Sequence, residues 1–286
     1  MSSPRKTVLI TGCSAGGLGA ALVEAFLKQN YHVFATLRNP SKTPSHLTTL
    51  SNVTILTLDV LSSFSITSAV EIVTKETGGK LDVLVNNSGV MSIMPGLDAS
   101  IEEGKKLFDI NFWAVLAMIQ AFAPLLVEAK GCIVNNASVA GVMPVYFESV
   151  YNASKAALIV GSETWRLELA LLGVRTLTVV TGSVRSQVFK NMKPANVPES
   201  SYYANVGKDI YDLGDGRLAE HAISAEAWAM KVVAAVEKGR AGKVWFGGAA
   251  SVINWSIWLF PEWLLVSLKM VEKVMEMFAD EDRINS

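Results

Sequence analysis

Apolar and polar residues alternate along the chain in a way that predicts short strands separated by helices. Short runs rich in β-branched residues predict the strands, at residues 7–10, 32–37, 53–58, 81–85, 131–135, 174–180 and 243–246. Apolar residues spaced three and four apart predict the helices, at residues 18–28, 101–128, 150–172 and 225–238. Because the strands carry few charges, we expect helices on both faces of the sheet. This order predicts an α/β fold, a Rossmann-type doubly wound parallel sheet in three layers.

The pattern fails between residue 183 and about residue 223, where Asn, Gly, Pro, Ser and Tyr are frequent. Long irregular stretches inside a domain are usually binding loops, lids or disordered segments. Because no linker separates two halves, we expect one catalytic and cofactor-binding domain over residues 1–249. An apolar, helical C-terminal appendage is expected over residues 250–286.

The appendage is rich in aromatic residues, among them Trp255, Trp258 and Trp263. Pro261 and Glu262 interrupt its apolar run, which argues against a bilayer span. Since tryptophan-rich apolar segments suit a membrane interface, we expect a membrane-surface contact through residues 252–278, with an amphipathic helix over 269–278. A lid over the substrate pocket and a contact between subunits are the alternatives.

Composition narrows the class of protein. Half of the 286 residues are apolar and the formal net charge is −1, so a large core is available and no basic surface for nucleic acid is expected. Two cysteines, Cys13 and Cys132, favour a reduced intracellular compartment over a disulfide framework. The polar N-terminus runs straight into the first strand, so we expect no signal peptide. The three histidines lack metal-ligand spacing, and we expect no metal site.

A glycine-rich turn joins the first strand to the first helix. Glycines let the backbone turn tightly and approach a pyrophosphate, and the helix N-terminus supplies free N–H groups. A tight turn alone is the simpler interpretation, but the placement between strand and helix favours a dinucleotide site. The candidate cofactor residues in this turn are Gly12, Ser14, Gly17, Leu18 and Gly19.

The residues after the next strands indicate which dinucleotide binds. Arg38 follows the second strand, where an acidic residue would bond the ribose hydroxyls of NAD, and its planar fork suits a 2′-phosphate. We therefore expect NADP(H), with a solvated surface arginine as the alternative. Asp59 and Val60 follow the third strand and are expected to border an adenine, although Asp59 could simply cap a helix. Asn87 follows the fourth strand, at the same ligand-binding edge.

Tyr151 and Lys155 are the candidate proton-transfer pair. They are four positions apart and hence one helical turn from each other. We expect the ammonium to lower the pKa of the phenol, which can give a proton to an alkoxide or take one from an alcohol. Ser138, thirteen positions before Tyr151, can polarise a carbonyl or cap a turn. Asn111 lies inside a predicted helix, where an asparagine indicates either a special role or a kink.

In combination, these residues resemble the short-chain dehydrogenase/reductase family, in its compact single-domain branch, from residue 6 to about residue 246. The resemblance implies that Tyr151 is the general acid/base and that Ser138 holds the carbonyl oxygen. It implies that Lys155 bonds the nicotinamide ribose and depresses the Tyr151 pKa. Asn111 would anchor a water molecule that links Lys155 to solvent.

The resemblance also implies that residues 181–186 contact the nicotinamide end of the cofactor, with Val184 at the carboxamide and Ser186 nearby. Three positions depart from the family pattern. The glycine turn is one residue longer than usual, which leaves open whether Gly16 or Gly17 meets the phosphate. Ser88 replaces an alanine, and Thr181 stands where a proline is usual, so the nicotinamide loop is expected to be less rigid.

The expected substrate is an apolar or lipid-like ketone, because two stretches near the site are apolar. Their candidate lining residues are Val142, Met143, Val145, Phe147, Val188, Phe189, Met192, Tyr202 and Tyr203. Covering the core is the alternative role for them. We expect an NADPH-dependent carbonyl reductase. The alternatives are an alcohol dehydrogenase working in the oxidative direction, a membrane-surface scaffold without turnover, and an epimerase or dehydratase, for which the chain is short after Tyr151.

The opening of the turn and the aromatic tail are similar to those of fungal 1-acyldihydroxyacetone-phosphate reductases. The same subgroup resembles ketone reductases of fungal secondary metabolism and hydroxysteroid dehydrogenases. The resemblance implies a cytoplasmic homo-oligomer, attached to the endoplasmic reticulum or to lipid droplets if the tail meets a membrane.

Overall fold

The computed structural model describes residues 5–188, 192–214 and 222–259. Within these residues the strands are β1 (Thr7–Thr11), β2 (His32–Leu37), β3 (Val53–Thr57), β4 (Val83–Asn86), β5 (Cys132–Ser138), β6 (Arg175–Thr181) and β7 (Gly242–Phe246). They form one sheet in the order β3-β2-β1-β4-β5-β6-β7, and every pair of neighbours is parallel. The order reverses direction after β1, so β1 and β4 flank the point where doubly wound sheets bind ligands.

The described helices are α1 (Leu18–Leu27), α2 (Ser63–Thr77), α3 (Ile101–Phe108), α4 (Ala114–Ala129), α5 (Ser149–Ala170), α6 (Gly207–Leu213), α7 (Ala225–Glu237) and α8 (Ala250–Leu259). One apolar core lies between the sheet and the pair α1 and α7, where Phe26 and Trp228 are fully buried. The other lies between the sheet and α2, α4 and α5, with Phe122 at its centre. The predicted fold class, a three-layer Rossmann-type parallel sheet, is confirmed.

The predicted long helix over residues 101–128 is interrupted. A π-helical turn, Asp109–Trp113, separates α3 from α4. Together they form a stretch, Ile101–Ala129, that is long and apolar enough to cross a membrane by length and composition. Its apolar face, with Val115, Met118 and Phe122, is buried against the sheet. A core helix therefore accounts for this stretch.

Two helices were not expected from the pattern of residues. Helix α2 is rich in Ser, Thr and β-branched residues, and its ends are set by the Ser62 side chain, which accepts from Ser65 N (3.2 Å), and by Gly78 at φ +67°. Helix α6 lies within the stretch predicted to be irregular. The predicted C-terminal helix is present over Ala250–Leu259, whereas the predicted amphipathic helix over 269–278 lies outside the described residues.

Candidate active site

The carboxyl ends of β1, β4, β5 and β6 meet at one edge of the sheet, and the segments that follow them form the site. Between β1 and α1, Gly12 and Gly16 adopt φ values of +76° and +72°, which glycine adopts without strain. A Cβ added to Gly19 would lie 2.3 Å from Gly12 O, so no side chain fits at the start of α1. Gly17 is the N-cap residue and offers no side-chain cap, which leaves the first amides of α1 free. This cradle fits a pyrophosphate group.

The cradle is held by hydrogen bonds to the β4 loop and within the turn. Thr11 Oγ1 accepts from the backbone N–H groups of Asn87 and Ser88, each at 2.9 Å, and Asn87 Nδ2 donates to Thr11 O (2.8 Å). Ser14 O accepts from Gly17 N (3.1 Å), just before Leu18 opens the helix. Asn87 therefore has a structural role in shaping the cradle.

The sequence left open which glycine meets a phosphate, and the two positions differ clearly. A Cβ on Gly16 would lie 2.9 Å from Gln187 Cγ, so this residue faces the loop after β6. Gly17 lies at the start of α1, where the free amides are. The geometry favours Gly17.

The residues expected to meet the adenosine end lie after β2 and β3. Arg38 is exposed, and no described residue pairs with its guanidinium. Asp59 Oδ1 accepts from Leu61 N (3.1 Å) in a local turn, and Ser62 rather than Asp59 caps α2. Val60 lies beside Thr11 at a small surface cavity. The position expected for adenosine is therefore apolar on one side. Arg38, with which no described residue pairs, follows the end of β2.

Ser138, Tyr151 and Lys155 come together where β5 ends and α5 begins. Ser138 is the last residue of β5, and its Oγ accepts from Ala140 N (3.1 Å), so it caps the turn that follows. The same hydroxyl lies beside the Tyr151 phenol and lowers its pKa. Lys155 Nζ lies 5.8 Å from the centre of the Tyr151 ring and donates to Asn136 O (3.0 Å). This arrangement places a proton donor, a polarising hydroxyl and a buried cation at the ligand-binding edge.

The pKa of Tyr151 differs from the sequence expectation. Burial raises it from 10 to about 12, and the hydrogen bond with Ser138 opposes that rise while the nearby Glu148 adds to it. Burial also lowers the pKa of Lys155 to about 8. The expected lowering of the Tyr151 pKa is therefore wrong for this structure, because desolvation outweighs the contributions that favour the phenolate, and the net rise disfavours it by about 3 kcal/mol.

Asn111 lies in the π-helical turn, and its side chain points inward. Its Oδ1 accepts from Val90 N (2.9 Å), and its Nδ2 donates to Val90 O (2.9 Å) and to Ser154 Oγ (3.0 Å). A Cβ on Gly89 would lie 3.3 Å from Asn111 Oδ1 and 3.5 Å from Lys155 Nζ. Asn111 thus joins the loop after β4 to α5 beside Lys155. The interruption of the helix and the polar contacts of Asn111 therefore occur at the same residue.

Asn136 is a site residue that the sequence did not reveal. Its Oδ1 accepts from Thr181 Oγ1 (2.6 Å), its Nδ2 donates to Asn87 Oδ1 (3.2 Å), and its carbonyl accepts from Lys155. Thr181, which replaces the usual proline, therefore anchors the end of β6 by a hydrogen bond. The only signal in the sequence was a pair of amides, Asn135 and Asn136, in an otherwise apolar strand.

The nicotinamide loop continues from Thr181. Val184 is buried and pairs with Ile223 in an isolated parallel bridge. Ser186 Oγ accepts from Val188 N (3.4 Å). Both candidate residues thus lie in a loop that a second segment of chain supports.

The expected substrate-lining residues do not all lie together. Phe147, Met192 and Tyr203 pack against a small apolar group, here named the outer cluster, formed by Ile93, Ala195, Val206, Ile210 and Leu213. Val142 instead packs on the main core, and Tyr202 is 88% exposed. Phe189 lies outside the described residues. Tyr146, which was not expected, also packs against the outer cluster. Glu148, likewise not expected, is buried and adds to the rise of the Tyr151 pKa.

The amino-acid sequence of this chain is similar to those of known proteins. The sequence pattern of short chain dehydrogenases matches residues 6–196. A short-chain dehydrogenase of Penicillium ochrochloron is 43% identical over 93% of this chain and 98% of its own. The NADPH-dependent 1-acyldihydroxyacetone phosphate reductase of Schizosaccharomyces pombe is 40% identical over 69% of this chain and 68% of its own.

Among solved structures, a short-chain dehydrogenase from Streptomyces avermitilis superimposes with a TM-score of 0.77 at 25% identity, covering 96% of this chain and 99% of its own. Sequence and fold therefore agree over almost the whole described chain, which belongs to the short-chain dehydrogenase/reductase family and is an oxidoreductase.

Proposed function

We propose that the chain is an NADPH-dependent carbonyl reductase that converts an apolar or lipid-like ketone into a secondary alcohol. The observation that carries the proposal is the contact of Tyr151 with Ser138 beside buried Lys155, at the sheet edge that holds the glycine cradle. The catalytic residues proposed are Asn111, Ser138, Tyr151 and Lys155. We propose residues 1–249 as the catalytic domain and residues 250–286 as an accessory segment.

The cofactor would be held by residues from each segment at this edge. They are Gly12, Ser14, Gly17, Leu18, Gly19, Arg38, Asp59, Val60, Asn87, Tyr151, Lys155, Val184 and Ser186. The preference for NADPH is supported by Arg38, an exposed guanidinium without a partner among the described residues, which suits a 2′-phosphate. The S. pombe relative is also named as NADPH-dependent.

The proposed chemistry divides the work between cofactor and chain. NADPH, when bound, supplies the hydride. The Tyr151 phenol donates its proton to the carbonyl oxygen, and its raised pKa keeps it protonated at neutral pH. Ser138 hydrogen-bonds the same oxygen and aligns it, while Lys155 provides positive charge beside the developing alkoxide. Asn111 positions the loop against α5, where Lys155 lies.

Two apolar surfaces support the proposed partners. Exposed apolar side chains on the outer face of α5, among them Val160 and Leu167, suit a homo-oligomer contact. Trp255 and Trp258 on α8 are also exposed, which supports membrane-surface attachment of a cytoplasmic enzyme, at the endoplasmic reticulum or lipid droplets.

The test is NADPH consumption with a panel of acylated triose phosphates, steroid ketones and bicyclic aromatic ketones. We expect turnover with at least one class, and we expect Tyr151→Phe to lower kcat by about 10²–10⁴-fold. Arg38→Ala should raise the KM for NADPH about tenfold or more without affecting NADH, because a charge-assisted bond is lost. Arg240→Ala, at an exposed arginine away from the site, is the matched control.

Several outcomes would contradict the proposal. Native turnover by Tyr151→Phe removes the assigned proton donor. Equal efficiency with NADH removes the cofactor preference. Tight NADPH binding with no turnover on any ketone or alcohol favours the scaffold alternative, and turnover of alcohols alone favours the oxidative direction.

A further inference from the structure

Glu148 is a buried carboxyl group that the proposed reaction does not use. It is the N-cap residue of α5 and is 4% exposed, yet its side chain makes no cap hydrogen bond. No described residue donates a hydrogen bond to its carboxyl group or forms an ion pair with it. Because buried carboxyl groups normally have partners, this one is available to hydrogen-bond a ligand.

Two further polar atoms next to it lack partners. Tyr146 Oη and Asn152 Oδ1 are both buried without a hydrogen bond among the described residues. Burial raises the pKa values of both Tyr146 and Tyr151, and the Glu148 carboxyl group adds to the rise in each, so it lies within electrostatic range of both phenols. Positions 148, 151, 152 and 155 share one helical face, so this group continues the line of Tyr151 and Lys155.

The backbone holds Glu148 in this buried position. Phe147, the preceding residue, has φ +61°, a conformation that aromatic residues rarely adopt. It is fixed by a hydrogen bond from Met94 N to Phe147 O (2.6 Å) and by edge contacts of its ring with Tyr146 and Tyr203. Strain of this kind persists where surrounding contacts over-determine the conformation, often at ligand sites.

The chemistry of these groups selects a neutral ligand. Burial raises the Glu148 pKa to about 8, so at neutral pH the carboxyl is mostly protonated and both donates and accepts. Residues 142–152 contain no lysine or arginine, and Lys193, next to the outer cluster, is 89% exposed and pairs with Glu103. An anionic group such as a phosphate would therefore meet the Glu148 carboxyl group, and Lys155, the cation of this helical face, lies beside Tyr151 and donates to Asn136 O. A hydroxyl, which donates and accepts, matches all three atoms.

We propose that Glu148, with Tyr146 and Asn152, binds a hydroxyl group of the substrate, so that the ketone reduced at Tyr151 carries a neutral hydroxyl near its carbonyl. This subsite rests on the proposed reductase function and narrows its substrate class from apolar ketones to hydroxy ketones. It argues against a phosphate placed next to the reacting carbon.

The test uses 1-tetralone, its four monohydroxy derivatives on the aromatic ring, and their methyl ethers, with NADPH consumption as the readout. At one ring position, the hydroxyl should raise kcat/KM about tenfold or more over the ether, mainly through KM. Glu148→Leu should bring that ratio close to one, and Glu148→Gln, which keeps hydrogen bonding, should retain part of it. Glu168→Leu, at an exposed acid on the same helix, should keep the wild-type ratio.

The ratio of kcat/KM for hydroxyl and ether substrates, taken within each variant, separates the subsite proposal from the reductase proposal. If wild-type protein reduces tetralones but shows no preference for any hydroxyl, the subsite is wrong and the reductase function stands. If Glu148→Leu keeps the full preference, Glu148 is not the binding group. If the wild type reduces no ketone in any class, the reductase proposal fails, and the subsite fails with it. Thermal unfolding of each variant identifies any that do not fold.

Discussion

At the scale of single residues, burial has a larger effect than charge pairing in this site. Tyr151 and Lys155 are adjacent on one helical face, yet each is pushed toward its neutral form, the phenol to a pKa of about 12 and the amine to about 8. A phenol that stays protonated is suited to donate a proton. This protonation state is the one that the proposed reduction of a carbonyl needs.

These pKa values predict a pH profile for reduction of 1-tetralone, which has no hydroxyl for Glu148. Lys155 is charged below about pH 8 and loses its charge above it, while Tyr151 keeps its proton to about pH 12. If the reaction needs the ammonium, kcat/KM should be level at neutral pH and fall about tenfold per pH unit above pH 8. Steady-state rates at saturating NADPH measure this profile.

Glu148 titrates in the same range, with a pKa of about 8, and must be separated from Lys155. Glu148→Gln removes that carboxyl, and the fall should remain at the same pH. A fall that disappears in this variant would assign the profile to Glu148 instead. A profile that is level to pH 10 in wild-type protein would show that the charge on Lys155 is not needed.

The sequence could predict contacts within one element but not contacts between strands. Tyr151 and Lys155 are one helical turn apart, so spacing alone placed them together. Asn136 and Thr181 meet across β5 and β6, forty-five positions apart. That contact depends on strand register, and nothing local in either segment encodes it. The pKa of Tyr151 was mispredicted for a related reason, because burial depends on the whole packed site.

At the scale of elements, capping residues and helix interruptions set where a helix begins, ends or breaks, which apolar periodicity does not show. Helix α2 escaped prediction because its weakly apolar, β-branched sequence resembles a strand, while Ser62 and Gly78 define its ends. The long α3–α4 stretch was predicted as one helix because its apolar spacing continues through the π-helical turn. That turn is where Asn111 bonds to the β4 loop and to α5.

Because Asn111 makes three hydrogen bonds in the π-helical turn, we expect Asn111→Leu to destabilise the protein more than Ser154→Ala, which changes one of its partners. Asn111→Leu removes three hydrogen bonds and leaves the partly buried backbone N–H and C=O of Val90 without their partner, which should cost about 3 kcal/mol or more of unfolding free energy. Ser154→Ala loses its bonds to Asn111 and to Tyr151 O and should cost about 1–2 kcal/mol. Urea unfolding followed by circular dichroism measures both.

Thr164→Ala, at an exposed position of α5, should change the stability by less than about 0.5 kcal/mol and serves as the control. Equal costs for Asn111→Leu and Ser154→Ala would contradict the assignment, because they would show that the Val90 contacts contribute nothing.

At the scale of the whole molecule, two exposed apolar surfaces, one on α5 and one on α8, suit different partners. Val160 and Leu167 are 67% and 62% exposed on the outer face of α5. Trp255 and Trp258 are 62% and 78% exposed on α8, the last described helix. A flat aliphatic helix face suits a second copy of the chain, whereas exposed tryptophans suit the headgroup region of a bilayer.

A crossed pair of double variants tests these two assignments in one design. Wild-type protein should float with vesicles of phosphatidylcholine and phosphatidylserine, and light scattering without vesicles should give the mass of an oligomer. Trp255→Gln with Trp258→Gln should abolish flotation and keep that mass, because the change affects only the proposed membrane contact. Val160→Gln with Leu167→Gln should do the reverse and give a monomer that still floats. If both pairs reduce flotation equally, binding is a general effect of apolar exposure; if the tryptophan pair lowers the mass, α8 is a subunit contact.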